Sequence, residues 1–231
     1  NIMGTSNLLQ ILTNSNHSVK KIILASSRSI YGEGKYDSGD HGVQYPDSRK
    51  ESDMREGKFN PRCKYSSMEM EYLATDEDSK IHPISIYGMT KQYQERIIML
   101  IADSLGIPSV SFRYQNVYGP GQSLSNPYTG ILSIFSTRIL NGNNLEIYED
   151  GLQTRDFVFI DDVVDATILG IERDDANGQV FNVGSGEAIT VKKVAETLRD
   201  LYNAPNINIS ISGRFRLGDI RHNFADLSKI N

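Results

Sequence analysis

The chain has 231 residues, 39% of them hydrophobic, which is enough apolar material for one large domain or two modest ones around a real core. A formal net charge of -5 argues against a nucleic-acid partner, because phosphate contacts need clustered Lys and Arg. No run of roughly 18 apolar residues occurs, and the N-terminus has neither a basic n-region nor a cleavable apolar stretch, so a soluble, cytoplasmic protein with no membrane partner is expected. One cysteine, Cys63, forms no intramolecular disulfide and no structural zinc site unaided, and no metal is expected.

The chain opens at Asn1 inside a helical pattern, Ile2 to Leu12. A polar turn from Asn14 to His17 leads to Lys20 to Ser27, a short apolar run of the kind that forms a buried parallel strand. From Gly32 to about Ile81 no period is sustained, which predicts a long surface excursion. Ser85 to Leu105 returns to helical spacing and is stopped by Gly106 and Pro108, and Pro108 to Tyr114 reads as a strand. Strand, helix, strand in this order predicts an α/β fold, a parallel sheet with helices on both faces. A helix is expected over Thr129 to Leu140 and a strand over Val158 to Ile160. Asp161 or Asp162 is the expected cap of a helix from Val163 to Ile171, and Phe181 to Val183 reads as a strand ending at Gly184-Ser185-Gly186. Thr190 caps a last helix that runs through Leu201.

The strongest chemical signal is Tyr87-Gly88-Met89-Thr90-Lys91, a phenol and an ammonium four residues apart at a helix start. That spacing puts both on one face, and an ammonium beside a phenol favours the phenolate that a general base needs. Alone the pair reads equally well as an exposed i, i+4 contact. What raises it above that is Ala25-Ser26-Ser27, which ends a strand and delivers hydroxyls to the carboxyl edge of the sheet, where open α/β sheets place their sites.

Six segments in this order resemble the extended short-chain dehydrogenase/reductase family of nucleotide-sugar enzymes, the NAD-dependent epimerases and dehydratases. They are the strand-end serines with Ser29-Ile30-Tyr31-Gly32, Tyr87 with Lys91, Arg113 to Gly121, Arg155 to Val163, Phe181 to Gly186, and Gly218 to His222. The resemblance implies a Rossmann-like doubly wound parallel sheet with a smaller C-terminal substrate-binding domain. It implies a catalytic Ser27, Tyr87 and Lys91, with cofactor contacts from Asn1, Ser26, Tyr87, Lys91, Tyr114 and Gln115. For the nucleotide sugar it implies Ser27, Asn116, Gly130, Ile131, Tyr148, Arg155, Arg216 and Asp219. In this scheme Arg155 and Arg216 take the diphosphate, whose oxyanions suit a guanidinium fork. Tyr148 offers a stacking face for the base.

Sugar dehydratases of this family carry an Asp-Glu pair after the strand-end hydroxyl, where this chain has Arg28 and Ser29. The resemblance therefore implies a 4-epimerase with bound NAD rather than NADP, working through a transient 4-keto sugar. The 34–81 insertion and the segment Gly119 to Gly130 look like the branch that includes dTDP-L-rhamnose 4-epimerases, acting on dTDP-L-rhamnose and dTDP-6-deoxy-L-talose. A UDP-glucose or UDP-glucuronate 4-epimerase, an NAD(P)-dependent 4-ketoreductase, and a non-catalytic nucleotide-sugar-binding fragment remain alternatives. No G-x-G-x-x-G or G-x-x-G-x-x-G run is present to seat the dinucleotide pyrophosphate. The expected organisation is the second half of the Rossmann domain over residues 1–122, its first half lying upstream of Asn1. A sugar-nucleotide domain would span 123–231, with about 155–175 returning to the sheet. By analogy a homodimer forms through the helices of Ile2 to Leu12 and Ser85 to Leu105.

Overall fold

The computed structural model describes residues 1–124 and 130–231. Helix α1 (Ile2–Asn14) leads to strand β1 (Ile22–Ser27) and a 3-10 turn over Arg28–Tyr31. The long insertion that follows holds β2 (Lys35–Asp37), β3 (Val43–Gln44), the five-residue α2 (Glu51–Arg55) and β4 (Glu71–Leu73). Then come α3 (Ile86–Ser104), β5 (Ser109–Tyr114) and β6 (Asn116–Tyr118). The remainder runs α4 (Ile131–Leu140), β7 (Leu145–Ile147), β8 (Thr154–Arg155), β9 (Phe157–Phe159), α5 (Ile160–Glu172), β10 (Val180–Val183), β11 (Ile189–Thr190), α6 (Val191–Leu201) and β12 (Ile209–Ile211). The expected start of α4 at Thr129 lies outside the described residues.

The centre is a parallel sheet in the order β1-β5-β10, so all three carboxyl ends meet at one edge, with Ser27 beside Tyr114 and Tyr114 beside Val183. Strand β5 shows why helices cover both faces. Its even positions, Val110 and Phe112, pack with Val158, Val163 and Val183 under α5, while its odd positions, Ser111 and Arg113, turn to Glu95 of α3. The period of two is thus kept in a strand buried throughout, because the polar face finds a carboxylate. Burying one Phe112-sized side chain contributes about 2 kcal/mol. Gly170 of α5 sits against that ring so closely that a β-carbon there would lie 2.4 Å from Phe112 Cζ. On the opposite face, Leu9 and Leu12 of α1 pack with Leu24 and Ile98.

Two expectations change. Helix α5 begins at Ile160 after Phe159, not after an aspartate cap, and Asp161 and Asp162 occupy its first turn, where their charge suits the helix dipole. The excursion is a folded unit rather than surface loop: β3-β2-β4 form an antiparallel sheet over buried Tyr36, Cys63 and Met70. Its strands are two and three residues long, too short to show a period. A second layer, α4 and α6 over β7, encloses Phe135, Ile139, Leu145, Ile147, Val194 and Ala195. Strands β7 and β12 pair in parallel, as do β6 and β9, and β8 pairs with β11 antiparallel.

Candidate active site

The site grows from the carboxyl end of β1. Ser27 Oγ accepts hydrogen bonds from the Ser29 backbone N (3.2 Å) and the Ser29 hydroxyl (3.0 Å), capping the 3-10 turn. As an acceptor twice over, Ser27 retains its own O–H for a further partner. Ser26 is buried with no partner for its hydroxyl among the described residues.

Helix α3 is brought against this turn by its first residues. Ser85 caps it, its hydroxyl accepting from Gly88 N at 3.0 Å. Gly88 is needed because a β-carbon there would stand 2.6 Å from the Ser29 carbonyl oxygen. This close approach brings the first turn of α3, which carries Tyr87, 52% exposed, against the turn that follows β1. One turn later the Lys91 ammonium lies 5.9 Å from the centre of the Tyr87 ring and donates to the Ala25 carbonyl at 2.8 Å. Burial lowers the Lys91 pKa. Asn1 joins the group, its amide donating to the Thr90 hydroxyl at 2.9 Å. Tyr114 and Gln115 end the neighbouring strand, but their side chains are engaged internally: the Tyr114 hydroxyl with Thr167 at 2.8 Å, and the Gln115 amide with Asn223 at 3.4 Å. Asn116 follows with a buried Oδ1 that is unpaired among the described residues.

A second group belongs to the C-terminal layer. Arg216 and Arg214 each lie 5.2 Å from the centre of the Tyr148 ring, and exposed Asp219 follows in the same loop. Arg155 donates to the Thr154 and Arg221 carbonyls at 2.7 and 3.2 Å and makes no ion pair among the described residues. Burial depresses its basicity, and the nearby Asp219 charge opposes that. Gly130 caps α4, while Ile131 packs on the apolar core.

Several residues that hold the site together were assigned no role from the sequence. Arg49, from the insertion, donates to Glu33 at 3.2 Å and to both carboxylate oxygens of Glu149 at 2.9 and 3.0 Å. Fully buried Arg221 pairs with Glu149 and Asp150 at 2.8 and 2.7 Å. Asp156 ties two of the recognised motifs, accepting from Ser185 N and Oγ at 2.7 and 2.9 Å, from Gly186 N at 3.1 Å and from Ala225 N at 3.0 Å. Arg28 was visible only as the residue where a dehydratase has aspartate. Its Nη1 is shielded from solvent and unpaired among the described residues, and burial, followed by the Arg155 charge, lowers its pKa to about 9.

The fold and this strand-edge cluster define a Rossmann-type α/β protein. The chain belongs to the NAD dependent epimerase/dehydratase family, whose model matches residues 1–184. It is 36% identical to the dTDP-L-rhamnose 4-epimerase of Burkholderia thailandensis over 99% of its own length and 61% of that protein. Among solved structures it resembles the UDP-N-acetylglucosamine 4-epimerase of Methanobrevibacter ruminantium M1 in complex with UDP-N-acetylmuramic acid, at 29% identity and a TM-score of 0.74, covering 100% of this chain and 61% of that one. It also resembles the UDP-glucose 4-epimerase of Thermotoga maritima with UDP-glucose, at 28% identity and a TM-score of 0.75, covering 98% and 60%. The chain thus spans about 61% of the length of the first curated relative it matches. No helix among the described residues is long and apolar enough to cross a membrane.

Proposed function

We propose that the protein is a nucleotide-sugar 4-epimerase acting on dTDP-L-rhamnose and dTDP-6-deoxy-L-talose. The observation that carries this reading is the seating of the first turn of α3 on the Ser29 turn that directly follows β1, with Lys91 bonded across to Ala25. The Tyr87 phenol oxygen takes the proton of the sugar C4 hydroxyl and returns it after the hydrogen at C4 has been replaced from the other face. The Ser27 O–H, left free by the two bonds its oxygen accepts, donates to the reacting oxygen. Arg155, Arg216 and Asn116 hold the diphosphate side, with Tyr148 against the base and Asp219 on its ribose.

The residues present suit the nicotinamide end of NAD. Ser26 offers an orphaned buried hydroxyl, and Lys91 spends one of its three donor hydrogens on Ala25, leaving two for ribose hydroxyls. Asn1 and the Tyr114 and Gln115 strand end flank them. When bound, NAD supplies reversible hydride acceptance at C4. The loss of the Asp-Glu pair to Arg28 and Ser29 removes the extra acid and base that elimination of water requires. Choice of dTDP over UDP rests on the Burkholderia relative; the two UDP-sugar structures support a UDP-hexose epimerase as the second reading.

In full-length protein, Tyr87→Phe is expected to slow interconversion of dTDP-L-rhamnose and dTDP-6-deoxy-L-talose by about 10²- to 10⁴-fold, with melting temperature unchanged because the side chain is half exposed. Undiminished turnover in this variant sinks the reading, and stoichiometric consumption of added NADPH makes the protein a reductase. The same reading includes a homodimer through α1 and α3, supported by exposed Leu8, Ile11, Met89 and Leu100 on those helices. Sedimentation at micromolar concentration should report a dimer, and a monomer there removes it.

A further inference from the structure

Outside the triad, an unusual electrostatic arrangement lies one residue beyond Ser27. Arg28 opens the 3-10 turn that Ser27 caps, so its backbone is fixed beside the proposed reacting hydroxyl. Its guanidinium makes no hydrogen bond or ion pair among the described residues, and Nη1 is out of contact with solvent. The acidic groups nearest to it in charge are Asp156, Glu33 and Asp219. Two of them are already committed. Asp156 is occupied by Ser185, Gly186 and Ala225, and Glu33 by Arg49 Nε and the Arg221 backbone N at 3.2 and 2.7 Å. Asp219 stands exposed in its loop and forms no ion pair with Arg28.

The cation that acts on it is Arg155, which among the described residues donates only to backbone carbonyls. Two guanidiniums whose charges bear on one another, neither bonded to a carboxylate among the described residues, are costly: each gives up hydration and receives no compensating anion there. Ordinary structural arginines in this same protein, Arg49, Arg113 and Arg221, all sit on carboxylates. The missing counter-charge must be multiply anionic and must present several oxygens to two forks. The pyrophosphate of a nucleoside diphosphate meets both requirements, whereas a single carboxylate fills one fork.

We propose that Arg28 is a further diphosphate-binding residue, forming with Arg155 a two-guanidinium clamp on the pyrophosphate of the nucleotide sugar. This deepens the reading above, since it rests on a sugar nucleotide occupying the site. It also gives the Asp-to-Arg replacement a positive purpose. The position that serves elimination in a dehydratase here anchors the nucleotide half of the substrate, and the sugar is held from its phosphate side next to Ser27.

Calorimetric titration of full-length protein with dTDP, thymidine and UDP-glucuronate tests it, comparing wild type with Arg28→Gln and Arg28→Lys. Arg28→Gln should weaken dTDP by about 10- to 100-fold, the usual effect of losing a charge-assisted hydrogen bond, and leave thymidine unchanged. Arg28→Lys, which keeps the charge and loses the fork, should fall between. Without nucleotide, the melting temperature of Arg28→Gln should equal or exceed that of wild type, because a part-buried cation whose Nη1 has no partner among the described residues has been removed. Unchanged dTDP affinity overturns the proposal, as does weakening confined to UDP-glucuronate, which assigns Arg28 to a sugar carboxylate. A matching loss for thymidine, or a lowered melting temperature, makes the residue structural and overturns it too. Arg28-dependent dTDP binding without epimerisation upholds the clamp while ending the epimerase reading, and failure of wild type to bind any of the three ligands ends both.

Discussion

Arg113 and Arg28 stand at the same edge of the same sheet, one near the end of β5 and the other just past the end of β1, and they live in opposite circumstances. Arg113 is saturated: Nη2 pairs with Glu95 at 2.6 Å, and Nη1 donates to the Tyr31 hydroxyl at 2.6 Å and the Glu77 carbonyl at 2.9 Å. Burial works against its charge, but the bond to Glu95 outweighs that, and its pKa is held above the ordinary value. The Tyr31 hydroxyl passes the chain of bonds to Asn182 at 2.8 Å, and Asn182 donates to the Thr75 carbonyl at 2.9 Å. Arg28 is part-buried with its Nη1 shielded and meets no carboxylate among the described residues, and its pKa falls to about 9. Where cation and anion are both supplied by the chain the group is scaffold; Arg28 meets no such anion among the described residues, and the clamp proposed above rests on that difference.

That contrast is open to attack from both sides. The largest effect should come from Glu95→Ala, which leaves Arg113 buried and alone; urea unfolding should show a loss of about 3–5 kcal/mol, as for other broken buried pairs. A loss under 1 kcal/mol would mean that Arg113 is no better paired than Arg28, and the distinction would collapse. A smaller effect sharpens the picture at His222, which is held neutral among the cations. Burial first, then the charge of Arg221, lowers its pKa to about 3. Its ring contacts Thr154 Oγ1 at 3.0 Å and stacks on Tyr72 at 4.2 Å. In the unfolded chain the imidazole takes its proton near pH 6.5, while the folded protein refuses it until about 3, so the unfolded state binds more protons in that window. Stability therefore falls as pH drops below 6.5, by about 1.4 kcal/mol per unit at most. Between pH 7 and pH 5 wild type should lose about 2 kcal/mol more than His222→Gln, and equal losses in urea titrations would show that the ring accepts a proton freely in the fold.

How much of this was readable in advance follows from the range of each interaction. Helices α3 and α6 were legible because Ser85 and Thr190 announce their starts and the apolar stripes run for several turns. Strand β1 and the Tyr87–Lys91 pair were legible because their meaning is contained within six and five consecutive residues. The insertion was not, since its order comes from strands of two or three residues and from Arg49 meeting Glu149 a hundred positions away. Arg113, Tyr31 and Asn182 belonged to recognised segments, yet their service to one another, across 82 and 151 positions, needed coordinates. Arg28 was legible only as a missing aspartate, because its lack of a counter-ion among the described residues is a property of three dimensions.

Arg49 has one more consequence. With Nη1 it also reaches the Phe59 carbonyl and with Nη2 the Asp219 carbonyl, at 3.1 and 2.7 Å, so one side chain rivets the accessory sheet to the loop that carries Arg216 and Asp219. Drift in chain length is tolerable at the exposed hairpin tip, where Gly39 and Gly42 turn with positive φ and nothing lies within 4 Å of a would-be β-carbon. At the rivet it is not, since sliding the register by one residue would exchange the guanidinium for Ser48 or Lys50 and cast off the loop. The accessory sheet is thus free to diversify at its rim while its root stays clamped.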